Sequence, residues 1–211
     1  MTARNPTSTR LWLVVGLGVW FVIVQVLSML NFWERAGIVV PKVIGLLVAG
    51  QLLVLWRVPR LRELLIEGDA RWLLSVHTMR FVGILFLVMH ARGELPWAFA
   101  VPGGWGDIVI ASGAVLLLLL AFPLRTSTSR MMLLFWNVAG FIDILFVVST
   151  ALRLFLREPT SMAALARLPL CLLPAFFVPL IIVSHLLLFV WIRRHPIPAA
   201  AVQSAGTPAS N

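Results

Sequence analysis

The chain has 211 residues, 61% of them hydrophobic and 12% charged, with a formal net charge of +9 and a mean hydropathy of +1.00. A soluble domain is nearer half apolar and a quarter charged. No water-soluble core of this size hides so much apolar surface, so the composition excludes a soluble enzyme and predicts an all-α polytopic membrane protein whose main partner is the lipid bilayer.

The basic charge does not imply nucleic acid. Arginines stand at the ends of apolar runs, where they set topology and meet lipid headgroups, and no basic stripe with interleaved aromatics occurs. The single cysteine, Cys171, excludes an intramolecular disulfide and a cysteine-cage metal site.

Six apolar runs are long enough to cross a bilayer core, which needs about 20 residues per helix. They lie near 11–31, 37–56, 72–92, 105–124, 131–153 and 168–192, and predict one compact six-helix transmembrane domain over 11–195. Residues 1–10 and 196–211 are small, polar and proline-broken, and read as disordered tails. The first run lacks a small-residue cleavage site after a short apolar core, so it is expected to be a retained helix. Between runs two and three, RVPRLRELLIEGDAR (57–71) sets Leu61, Leu64 and Leu65 at helical spacing against Arg60, Arg62 and Glu63. That pattern predicts a short amphipathic helix in the headgroup region, ended by Gly68, with Asp69 capping the next helix.

Between runs three and four, GELPWAFAVPGGWGDIV (93–109) gathers prolines, glycines and two carboxylates. It predicts a non-helical outer segment or lid, with Glu94 and Asp107 at the mouth of a cavity and Asp107 capping the fourth helix. GWGDI (104–108) and GFIDI (140–144) share Gly-x-x-Asp-Ile, a slender echo of an inverted repeat. The last run carries Pro169, Pro174 and Pro179, and the latter two predict a kinked sixth span.

Counting Lys and Arg beside the spans gives ten residues on one side (Arg4, Arg10, Arg57, Arg60, Arg62, Arg71, Arg125, Arg130, Arg193, Arg194) against six on the other. The excess predicts both termini in the cytoplasm. Sixteen arginines to one lysine fit a high-GC bacterium, so the expected location is a bacterial inner membrane.

The groups able to do chemistry are few. Asp143 lies near the middle of the fifth span, where a carboxylate costs on the order of 3 kcal/mol unless paired, protonated or wet. Helical spacing places it on one face with Trp136, Gly140, Val147 and Thr150, the predicted inward face. Arg80 lies too deep in the third span to be a flanking charge and is the economical partner for Asp143, either as a structural lock or in a polar cavity.

His77 and His185 fall at similar depth with Asn137 and Ser184. The two imidazoles either hydrogen-bond within that layer or ligate a haem b iron axially. His90 and His195 read as interfacial.

No HExxH, GxSxG or GxxxxGK[ST] occurs, Gly16 and Gly18 follow no strand, and no catalytic residue or metal site is expected. An aspartyl pair of Asp107 and Asp143 is disfavoured, because the predicted spans separate them in depth. The leading expectation is a carrier or permease for a small solute or proton, using Asp143, Arg80, Glu94, Asp107 and Asn137. The alternatives are a b-type haem electron-transfer protein using His77 and His185, with no cofactor expected otherwise, and a non-catalytic scaffold or accessory subunit.

Overall fold

The computed structural model describes residues 6–36, 39–124 and 126–196, and among them every regular element is helical. Five helices are long and apolar enough to cross a membrane, and a sixth is reached if one bent pair counts as a span. Residues 1–5 and 197–211 of the expected tails, with Arg4 and Arg125 of the charge count, lie outside the described residues. Residues 6–10 are a correction to the expected N-terminal tail, since helix α1 already begins at Pro6 and runs to Met29.

A short α2 (Phe32–Ala36) leads to α3 (Val39–Arg57) and α4 (Pro59–Ile66), and the chain bends by 100° between these last two. Pro59, at the first position of α4, lacks the N–H that a continuous helix would need. The amphipathic stretch thus turns across the end of the bundle, as its pattern predicts. Asp69 caps α5 (Ala70–Ser75), accepting from the Arg71 amide at 2.9 Å.

The third span continues as a 3-10 segment, Val76–Val82, and α6 (Gly83–Ala91). It closes on Gly93, whose φ of 75° supplies the left-handed step of a Schellman motif. In that motif Gly93 N–H donates to His90 and Glu94 N–H to Met89, both at 2.9 Å.

The largest departure from expectation follows. Helix α7 runs Trp97–Leu120, so the expected proline-glycine lid is mostly helix and only residues near 92–96 turn. Pro96 supplies the extended N-cap conformation, and Pro102 forgoes one bond early in the helix, where the loss is mild. Thr126 and Ser129 form a reciprocal capping box that starts α8, Ser127–Arg157, a longer fifth span than the apolar run alone suggests. After a 3-10 segment at Pro159–Ala166, the sixth span opens with a π turn, Leu173–Phe177, around Pro174 and then becomes α9, Val178–Arg194. The predicted break is therefore a π turn, one of the few ways a helix absorbs a missing amide.

Side-chain ties define the two ends of the bundle. At the terminal end, Trp191 donates to the Gly68 carbonyl at 3.0 Å, Arg130 to that of Ile192, and Arg194 faces Glu67 at 3.5 Å. At the opposite, distal end, Arg167 meets Glu34 at 2.7 Å, while Trp33 and Cys171 share the Ser28 hydroxyl, each at 3.0 Å.

Of three apolar clusters among the described residues, the two larger fill the bundle. The distal one includes Phe86, Phe99, Ile144, Val147, Phe155 and Val178, and the terminal one Leu74, Ile110, Leu133, Trp136 and Leu188. Outward faces are apolar as well, with Leu120 79%, Trp72 76% and Phe135 74% exposed. Long helices that are oily outside as well as inside fit a membrane protein. Between the two apolar clusters lies a layer of buried polar groups.

Candidate functional site

The layer begins with a local irregularity. In a 3-10 helix side chains three apart eclipse, so Val76–Val82 stacks His77, Arg80 and then Gly83 in one inward row. Gly83 and Gly104 let two helix backbones meet. A Cβ on Gly104 would stand 2.8 Å from the Gly83 carbonyl oxygen, and one on Gly83 would run into the Gly104 carbonyl. No larger residue permits that crossing. It sets Arg80, one turn before Gly83, against Asp107, one turn after Gly104.

Arg80 is fully buried and spends all three guanidinium nitrogens. Nε donates to Asp107 Oδ1 at 2.6 Å, Nη1 to the Gly140 carbonyl at 3.0 Å, and Nη2 to Asp143 Oδ2. The expected Arg80–Asp143 pair is thus present. Asp107 is the unexpected third member: it is neither a helix cap nor at an outer mouth, but well inside α7 and 4% exposed. The two aspartates flank one arginine instead of lying apart in depth. Gly106 makes room for this, because a Cβ there would fall on the Asp143 carboxylate.

Toward the terminal end lies the imidazole layer. His77 and His185 are both fully buried. Asn137 Oδ1 accepts from His185 Nδ1 at 2.8 Å, and Asn137 Nδ2 donates to the His185 carbonyl at 3.2 Å. The Ser184 hydroxyl lies 3.0 Å from His77 Nε2 and 2.9 Å from the Ile181 carbonyl, to which it donates. Among the described residues His77 Nδ1 and His185 Nε2 have no hydrogen-bond partner of good geometry. Gly140 is what admits His185, since a Cβ on it would stand 2.7 Å from the ring. Trp136 closes the layer, its indole donating to the Ile110 carbonyl at 2.9 Å beside Gly113.

The ring geometry bears directly on the haem alternative. The two ring centres are 4.1 Å apart, in direct tilted contact. A metal–imidazole bond of about 2 Å on each side would hold the ring centres about 6 Å apart, with the porphyrin between them. A haem b does not fit between His77 and His185 as they stand. No group of three or more metal-ligating side chains occurs among the described residues.

Distal to the triad is a cavity of about 50 Å³, floored by Arg80 and Asp107 and walled by Phe86, Phe99, Ile144, Val147, Phe155 and Val178. Leu173 and Pro174 of the π turn also line it. Glu94 does not: it is exposed in the turn at the distal end, so the structure does not bring it to the other candidates. The wall was beyond sequence reasoning, because apolar residues facing a cavity carry the same pattern as those facing a core. The glycines were visible, and close approach accounts for Gly104 and Gly106 where a turn was expected.

Fold and site together define a multi-helix protein of membrane type with a charged triad built on a buried arginine, Asp107 buried and Asp143 part-buried beside it. Residues 38–193 match a family model described as a domain of unknown function (DUF8737), and the chain belongs to that family. No curated protein and no solved structure matches it.

Proposed function

We propose that this chain is a carrier or permease of a bacterial inner membrane, with both termini cytoplasmic, that moves a proton or a small solute coupled to one. It works within the lipid bilayer and has no role for nucleic acid. The observation behind the reading is the pairing of two aspartates with a single buried arginine at the foot of a cavity. The formal charges of Arg80, Asp107 and Asp143 leave one negative charge in excess. Uncompensated charge is expensive in low dielectric, so the triad takes up a proton or another cation.

The polar groups form a short column, from the cavity through the triad to His185 and His77. Leu74, Leu133 and Leu188, all fully buried, close its terminal end. Such an arrangement suits access from one side at a time, with the glycine crossing and the π turn as the places where helices shift.

The test is proton movement into pyranine-loaded vesicles carrying the purified protein under an imposed potential. Wild type is expected to acidify the lumen faster than protein-free vesicles, and Asp143→Asn to lose at least tenfold of that rate. A wild-type rate equal to that of empty vesicles, or an undiminished Asp143→Asn, rejects proton movement through the triad.

A further inference from the structure

We propose that the distal cavity binds a small organic cation: an apolar body carrying an ammonium head that docks on Asp107. The inference names the solute class of the carrier reading above and rests on that reading for its purpose, but its test is binding and needs no flux.

The argument starts from which polar atoms reach the cavity. Among the described residues, Arg80 and Asp107 are its only charged lining residues. The Arg80 side chain is 0% exposed, and each of its nitrogens already donates to Asp107, Gly140 or Asp143. The Asp107 side chain retains 6% exposure. Its Oδ1 accepts from Arg80, whereas its Oδ2 makes no hydrogen bond among the described residues and is not among the sealed polar atoms. Asp107 lines the cavity, and its free oxygen is assigned to that space. The polar contact on offer is an acceptor, and a ligand meets it only with a donor.

Charge narrows the class further. The triad sums to one negative charge, which attracts an ammonium and repels a carboxylate. A neutral alcohol can donate to Oδ2 but leaves the excess charge where it was, so an ammonium satisfies both demands. The walls supply the other half of the recognition, being aliphatic and aromatic throughout from Phe86 and Ile144 to Phe155 and Val178. A volume of about 50 Å³ suits a body of a few heavy atoms, and a longer tail would run toward Leu165 and Leu173 at the distal end.

The experiment uses the full-length protein in nanodiscs and reads the shift in thermal unfolding midpoint with n-butylammonium, 1-butanol and butyrate as probes. A ligand that binds only the folded state raises the midpoint with its concentration. Butylammonium is expected to raise it, with butyrate and butanol at least tenfold weaker in apparent affinity. Asp107→Asn is expected to abolish the preference for ammonium. Val147→Phe, which fills the cavity and leaves the triad in place, should abolish the shift altogether, so the test survives if Asp107→Asn fails to fold.

Equal stabilisation by butanol would reduce the site to an apolar hole. A larger effect of butyrate would reverse the sign of the recognition, and an undiminished shift in Val147→Phe would place binding elsewhere. No shift with any probe would also overturn the inference. Vesicle flux that persists while butylammonium fails to bind would leave the carrier reading standing and sink only this one. Ammonium binding in a protein that moves no protons would do the reverse.

Discussion

Arg80 holds the site together because every nitrogen it has is committed inside the protein. Removing one partner of a buried ion pair strands the other, at about 3–5 kcal/mol. Arg80→Gln strands two carboxylates, so its loss of stability is expected at or above that range, measured by reversible unfolding in mixed micelles. The glycines make a sharper contrast at the same scale. Gly83→Ala would drive a methyl into the Gly104 backbone, which cannot swing aside, and overpacking of this kind costs about 1–3 kcal/mol. Gly16→Ala meets open space and should be neutral or raise stability by up to about 1 kcal/mol through helix propensity. Equal effects at the two positions would mean that the α6–α7 crossing is looser than its geometry implies.

At the scale of elements, capping chemistry was legible and glycine chemistry was ambiguous. Asp69 before an apolar run reads as a helix start and is one. The amphipathic pattern of 57–71 likewise gives a helix lying across the bundle end, at 100° to its predecessor. The stretch 93–109 reads as a lid because Pro and Gly most often mark turns, yet only Gly93 has positive φ there. Gly104 and Gly106 serve close approach inside α7 instead. A single sequence holds no sign to separate those two uses, since the difference lies in what packs against the residue.

Helix α1 shows another limit. Its apolar run is strong, but the family match begins only after it, at residue 38, and α1 meets the rest through α4 and through the cluster of Val24, Trp33, Cys171 and Ala175. Cys171 is fully buried in that cluster. It is therefore expected to resist maleimide in the intact protein, and to label at least tenfold faster once residues 1–36 are deleted, while the triad stays in place. Rapid labelling of the intact protein would show that α1 does not cover Cys171.

For the whole molecule, the depth of side chains along the spans was the productive clue, and it failed where a span boundary was misplaced. Placing His77, His185, Asn137 and Ser184 in one layer required only that spans three, five and six begin near their true ends, which they do. The apolar pattern starts the fourth span at residue 105 and so puts Asp107 at the surface, whereas α7 begins at Trp97. That offset of eight residues is about 12 Å of helix, enough to carry a carboxylate from the outer mouth to the interior. The contact between Arg80 and Asp143 was legible as an economy of charge, but the choice between lock and working site was not, because both need the same pair.

That choice is the central claim, and energetics can separate the two. A buried ionic cluster is replaceable by apolar residues of similar shape at little or no cost in stability. The decisive measurement is proton flux and unfolding stability, side by side, for the triple variant Arg80→Met, Asp107→Leu, Asp143→Leu in vesicles. The account predicts a protein within about 1 kcal/mol of wild type that moves no protons. A triple variant that conducts at the wild-type rate would contradict it and leave the triad as a helix lock.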